Sequence, residues 1–270
     1  MYHLNTYGLD DLQGYNDEKL NDIVVTNITV LYYAIYKEDI ELVKLLLSNK
    51  IIDVNSINKS CFSCTYNPDC CEGSAGIKVE YTPLYLAIKK KNIEIIKLLL
   101  MDDRIDVNLV NKDIYYGADG ADVGITQEDF TPLFLAVFCE DNEIVKLLLM
   151  NKKIDVNILC TFQDVVTNSS LDNKQVLTPL HYAIKEQNVE IVKLLLNNEK
   201  ININAIGSIG YIEYFFETNN LYDYNVNNFT TYFKDFEDKM IMKDLTPLEY
   251  AKRNSHSEEI INLLSQKVTK

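Results

Sequence analysis

Residues 82–108 read TPLYLAIKKKNIEIIKLLLMDDRIDVN, and the chain says this phrase again. TPLFLAVFCEDNEIVKLLLMNKKIDVN occupies 131–157 and TPLHYAIKEQNVEIVKLLLNNEKININ occupies 178–204. A weaker copy, TVLYYAIYKEDIELVKLLLSNKIIDVN, runs over 29–55, and a degenerate one, TPLEYAKRNSHSEEIINLLSQ, over 246–266. The first four copies align without a gap. Repetition of this kind predicts a solenoid, in which no unit buries its apolar face alone.

Each copy reads as two helices. Thr is a helix N-cap, and in four copies Pro follows at the first helical position, where its missing N–H costs nothing. Leu84, Ala87 and Ile88 recur at helical spacing, as do their counterparts. A polar turn follows (KKN, EDN, EQN), whose Asn or Asp is expected to take the left-handed backbone of a tight helix–helix link. The second helix, IEIIKLLL, is apolar on nearly all sides and must be covered by neighbours. Glu41/Lys44, Glu94/Lys97, Glu143/Lys146 and Glu190/Lys193 interrupt it at i, i+3 and mark a solvated face.

Composition narrows the function. The chain has 270 residues and a formal net charge of −14. An acidic chain is a poor match for a nucleic-acid backbone or an anionic membrane. No apolar run reaches the length of a membrane span. The opening MYHLNTYGLDDLQG has no basic or apolar signal region, so a reducing cytoplasmic location is expected. Four N-x-S/T sequons, at Asn27, Asn58, Asn168 and Asn228, carry little meaning in such a setting.

The recurring T-P-L-x-x-A … E-I-V-K-L-L-L … D-V-N phrase resembles the ankyrin repeat. The resemblance covers five units, near residues 27–55, 81–108, 130–157, 177–204 and 245–266, with residues 1–26 expected as an N-terminal cap. It implies an all-α solenoid of stacked antiparallel helix pairs with β-hairpin-like loops. It also implies binding of a protein partner on hairpins and inner helices, without catalysis or a cofactor. Carried over by register, the inner-helix contact positions are Tyr36, Lys37, Lys89, Lys90, Phe138, Cys139, Lys185 and Glu186, with Arg253 and Asn254 in the last unit.

The chain departs from that family in its loops. The Ala of each unit recurs at 34, 87, 136, 183 and 251, spacings of 53, 49, 47 and 68, against a usual unit of about 33 residues. The excess lies mainly between VN and the next Thr. Four insertions, 56–81, 109–130, 158–177 and 205–245, are therefore expected to emerge along one edge as enlarged fingers. The last unit carries polar Glu249, Glu259, Asn262 and Gln266, and its second helix is shifted by one residue, as suits a solvent-facing end.

Two fingers stand out. CFSCTYNPDCC, residues 61–71, offers Cys61, Cys64, Cys70 and Cys71 as zinc or redox ligands. Only Cys61 and Cys64 form a good knuckle, and adjacent Cys70 and Cys71 diverge in an extended chain, so free thiols are the leading reading and metal or thiol redox sensing the alternative. Residues 211–236 hold ten aromatics, among them Tyr211, Tyr214, Phe215, Tyr222, Tyr224 and Tyr232. They suit a packed finger with an outer row left for a partner. His181 follows T-P-L and is expected to be structural; no nucleotide-binding, serine-hydrolase or metalloprotease motif is present. The sequence thus predicts a monomeric, non-enzymatic protein-binding module.

Overall fold

The computed structural model describes residues 29–62, 76–119, 122–166, 173–212, 240–254 and 257–269. Among the described residues, helices come in five pairs: α1 (Val30–Tyr36) with α2 (Ile40–Ser48), α3 (Pro83–Lys89) with α4 (Ile93–Leu100), and α5 (Pro132–Phe138) with α6 (Asn142–Leu149). The last two pairs are α7 (Pro179–Lys185) with α8 (Val189–Leu196), and α9 (Pro247–Asn254) with α10 (Glu258–Val268). Their starts are local chemistry. The side chains of Thr29, Thr82, Thr131 and Thr178 accept from the backbone N–H three residues on. Thr246 accepts likewise from Glu249 N at 3.4 Å and completes a capping box: its N–H and hydroxyl both donate to Glu249 Oε2, at 2.9 and 2.8 Å.

The link between paired helices differs from the sequence expectation. The left-handed residues are Glu38, Lys91, Glu140 and Gln187, with φ of 53–57°. Asp39, Asn92, Asp141 and Asn188 follow them as N-caps of the second helix, accepting from the N–H of Leu42, Ile95, Ile144 and Ile191. Asx residues win the cap because their short acceptor reaches that N–H. The strained turn falls to long side chains that bear it in solvent. In the last pair the cap is Ser257, one residue later than in the other units, as the sequence predicts.

First helices pack on first helices (α1, α3, α5, α7, α9) and second on second. Ala34, Ala87, Ala136, Ala183 and Ala251 are fully or almost fully buried, a small residue letting inner helices approach closely. Leu84, Leu86, Ile95, Ile96 and Leu99, with their counterparts, fill the space between the two layers.

The D-V-N phrase holds units together. Asn108 Nδ2 donates to Lys153 O at 2.9 Å, and its Oδ1 accepts from Asp155 N at 2.8 Å. Asn55 does the same to Arg104 O and Asp106 N, and Asn157 to Lys200 O and Asn202 N. The Asp two residues before each Asn closes its own turn, as Asp106 Oδ1 does for Asn108 N at 3.0 Å. Basic residues add a second stitch. Arg104 donates to Leu47 O in the last turn of α2 and to Ile52 O beyond it while gripping Asp102, whose carboxyl that hydrogen bond holds down at about 2.

All-α describes the helical stack but leaves out the insertions. Their described parts form strands β1 (Asn58–Phe62), β2 (Gly76–Tyr81), β3 (Asn111–Asp119), β4 (Asp122–Phe130), β5 (Cys160–Val166), β6 (Asn173–Leu177), β7 (Gly207–Ile212) and β8 (Met240–Leu245). Each insertion is a hairpin, and each hairpin also pairs with the next, giving one antiparallel sheet in the order β1 to β8. The register is unbroken: one row crosses the sheet through Lys59, Glu80, Lys112, Asp129, Thr161, Val176, Ser208 and Asp244. An isolated two-stranded hairpin is marginal in water. Pairing side by side satisfies the backbone of the inner strands on both edges.

Candidate recognition surface

The site lies where the inner helices meet one face of this sheet. On β3, Asp113 is fully buried, and in the register it stands opposite Glu128 of β4, also buried. Two buried carboxylates need a cation. Lys89, in the last turn of α3, supplies one: its Nζ lies 2.7 Å from Asp113 Oδ2. The ammonium also sits 5.6 Å from the Tyr81 ring centre and 5.9 Å from that of Tyr85. One lysine therefore joins helix and finger.

The same arrangement recurs on either side. Lys90 Nζ stands 4.9 Å over Tyr36 of the preceding unit, with Glu38 at 3.7 Å; Lys37 lies 5.8 Å from the same ring. Lys185 lies 5.2 Å from the Tyr182 ring and 5.9 Å from Phe162 of β5, with Glu186 at 3.9 Å. Between them Phe130, Phe134, Phe138 and Tyr182 form a cluster with centroids 4.6–5.3 Å apart in tilted geometry. The surface is thus a line of half-buried rings (Tyr36, Phe138, Phe162 and Tyr182) backed by the buried Tyr81, Tyr85, Phe130 and Phe134, and edged by lysines paired with nearby carboxylates.

Electrostatics here follow burial. Burial, with Glu186 and Glu128 beside it, pushes the Tyr182 phenol far above its usual range. Burial raises the Tyr36 phenol and the Cys139 thiol. Cys160 is pushed up to about 11 by burial. A thiol held protonated is a poor nucleophile or metal ligand. His181 is fully buried. Leu245 O can only accept, so Nε2 carries the proton at 3.0 Å and Nδ1 accepts from the Thr178 hydroxyl at 2.8 Å. Burial lowers its pKa to about 4, so it is a neutral strut.

A family profile described as ankyrin repeats (3 copies) matches residues 9–111 and again 114–207. The chain belongs to the ankyrin-repeat family. No curated relative matches it. Members of this family are in general protein–protein interaction modules.

Within the ankyrin array, the positions carried over by register fall at one end of the inner helices. Tyr36, Lys89, Lys90, Phe138, Cys139 and Lys185 are half-buried, and Lys37 and Glu186 are exposed. The structure brings Tyr36 to Lys90 and Phe138 to Tyr182. Tyr182, Tyr81, Phe162, Asp113 and Glu128 belong to the same surface and were not picked out from sequence. Four of them lie in or beside insertions, where only strand register shows which residues face the helices. Tyr211 is in β7. Tyr214, Phe215, Tyr222, Tyr224 and Tyr232 lie outside the described residues. Cys61 is in β1, opposite Lys78, and Cys64, Cys70 and Cys71 lie outside the described residues. Among the described residues, no cluster of three or more His, Cys, Asp or Glu could hold a metal ion, and no helix is long and apolar enough to cross a membrane.

Proposed function

We propose that this ankyrin array is a non-catalytic recognition module that holds a partner protein against the inner helices and the adjoining sheet face. The row of half-buried rings at Tyr36, Phe138, Phe162 and Tyr182 carries this reading. Aromatic area at low entropic cost is what interface cores use. The lysines are partly neutralised from within, so the partner need not be strongly acidic. It has to offer apolar or aromatic side chains to the rings and a few polar groups to Lys37, Lys90, Lys185 and Glu186. The net charge of −14 speaks for a protein partner and against nucleic acid. In this reading the chain works as a cytoplasmic monomer.

The test uses the full chain as bait, beside Tyr36→Ala, Lys37→Glu and Glu186→Lys variants at half-buried or exposed positions. The reading expects a partner captured by the parent chain and lost by at least one variant that keeps its circular dichroism. Capture of the same partner by every variant would refute this placement.

A further inference from the structure

A second surface recurs with the repeat and is separate from the ring row. The residue immediately before the first strand of each hairpin is Ile57, Val110, Leu159 or Ile206. These are 46 %, 41 %, 47 % and 55 % exposed. The residues two positions on, Lys59, Lys112, Thr161 and Ser208, share one register row, so the four aliphatics line up along one edge of the sheet. Each is separated from the next by two strands. That sets a step of ~9.6 Å and a ladder of about 29 Å. Scattered exposed apolar residues need no explanation, but an aligned series at one repeated position makes a stripe, which monomers rarely leave open.

The step selects the occupant. An extended strand would need an apolar residue every third position, and a strand's two-residue period turns alternate ones away. An α-helix presents one face every seven residues, a rise of about 10.5 Å. Three heptads span about 31 Å, close to the whole ladder. Charge selects its flank. Four residues before the first three rungs stand exposed Asp53, Asp106 and Asp155. On the other side Lys59 and Lys112 alternate in register with Glu80 and Asp129, a nearly balanced edge.

We propose that the ladder Ile57–Val110–Leu159–Ile206 docks an amphipathic partner helix of about three heptads, whose aliphatic row is bordered on one side by Lys or Arg. This goes beyond the ring surface and stands or falls without it.

The probe is a fluorescent synthetic helix of four heptads. It carries Leu or Ile at one heptad position and Lys on one flank; a scrambled peptide of equal composition is the control. Binding to the full chain is followed by anisotropy. Val110→Ser/Leu159→Ser should weaken binding at least about tenfold, since each rung buries part of an aliphatic side chain. Asp53→Asn/Asp106→Asn/Asp155→Asn keeps a side-chain oxygen for each turn but removes three charges; it should weaken binding and flatten its salt dependence. Tyr36→Ala should leave the peptide's affinity unchanged. All three proteins should keep the parent's far-ultraviolet dichroism. Equal binding of the scrambled peptide, or unchanged affinity in the Ser variant, would overturn the proposal.

Discussion

The Asn clamps make a quantitative claim about how one unit recognises the next. In Asn108→Ala, the Asp155 N–H loses its acceptor at 2.8 Å and the Lys153 carbonyl its donor at 2.9 Å. Each hydrogen bond contributes about 1 kcal/mol net, so the loss should be about 2 kcal/mol. Asn108→Asp should lose a similar amount, because it keeps the acceptor but sets a carboxylate oxygen against the Lys153 carbonyl. Asn204 is the internal control. It occupies the same place in the fourth unit, its backbone N–H closes the local turn on Asn202, and its exposed side chain makes no clamp. Asn204→Ala should cost less than about 0.5 kcal/mol. Urea unfolding followed by circular dichroism measures both. Because nearest-neighbour terms couple a solenoid, Asn108→Ala should also broaden the transition as the array begins to melt in parts. The reasoning fails if Asn108→Ala costs no more than Asn204→Ala.

Other predictions follow from particular contacts. His181 has its folded pKa lowered from 6.5 to about 4, so its stabilisation is complete above the unfolded value and is lost as pH falls from about 6.5 towards 4. The loss reaches about 3 kcal/mol, and His181→Phe should remove that dependence in a urea–pH series. A Cβ at Gly207 would meet the His181 ring at 3.1 Å, and that ring is fixed by two hydrogen bonds. Gly207→Asn should therefore destabilise alone, while His181→Phe/Gly207→Asn, which puts an aromatic ring and an Asn at the repeat positions that Tyr85 and Asn111 occupy in the second unit, should cost at least about 1 kcal/mol less than the sum of the singles. Lys91 and Gln187 hold φ of 54° and 57°, so Lys91→Gly and Gln187→Gly should each raise stability by about 0.5–1 kcal/mol, the relief of left-handed strain less the entropy of glycine. Their thermal midpoints check this.

The helical stack was legible because its signals are local. Thr followed by Pro, with Leu and Ala at helical spacing, marks the helix pair of each unit. The one-residue shift at Ser257 follows from the same spacing. The turn chemistry was misassigned because Asn92 can serve a turn or a cap, and sequence does not say which; the geometry gives it the Ile95 N–H. Hairpin-like loops along one edge were legible, but their joining into one sheet was not. Pairing of β2 with β3 joins residues of two insertions across an intervening helix pair, a non-local choice that composition does not encode. The surface was half legible for the same reason. Lys89 could be named from register, whereas Asp113, to which it is bonded, could be placed only once the strands were aligned. The charged stripe on the outer helices proved to be a set of exposed ion pairs, such as Lys193 with Glu259 at 2.7 Å, worth little individually.

The central claim is that the ring-lined inner face holds a partner protein. Its most direct test is a binding isotherm, by calorimetry, between the full chain and a protein captured with it from native lysate, measured for the parent, Tyr36→Ala and Lys37→Glu/Glu186→Lys. The account predicts saturable binding to the parent and at least about tenfold weaker binding to one of these variants, with unfolding midpoints unchanged. An identical isotherm for all three proteins would contradict it.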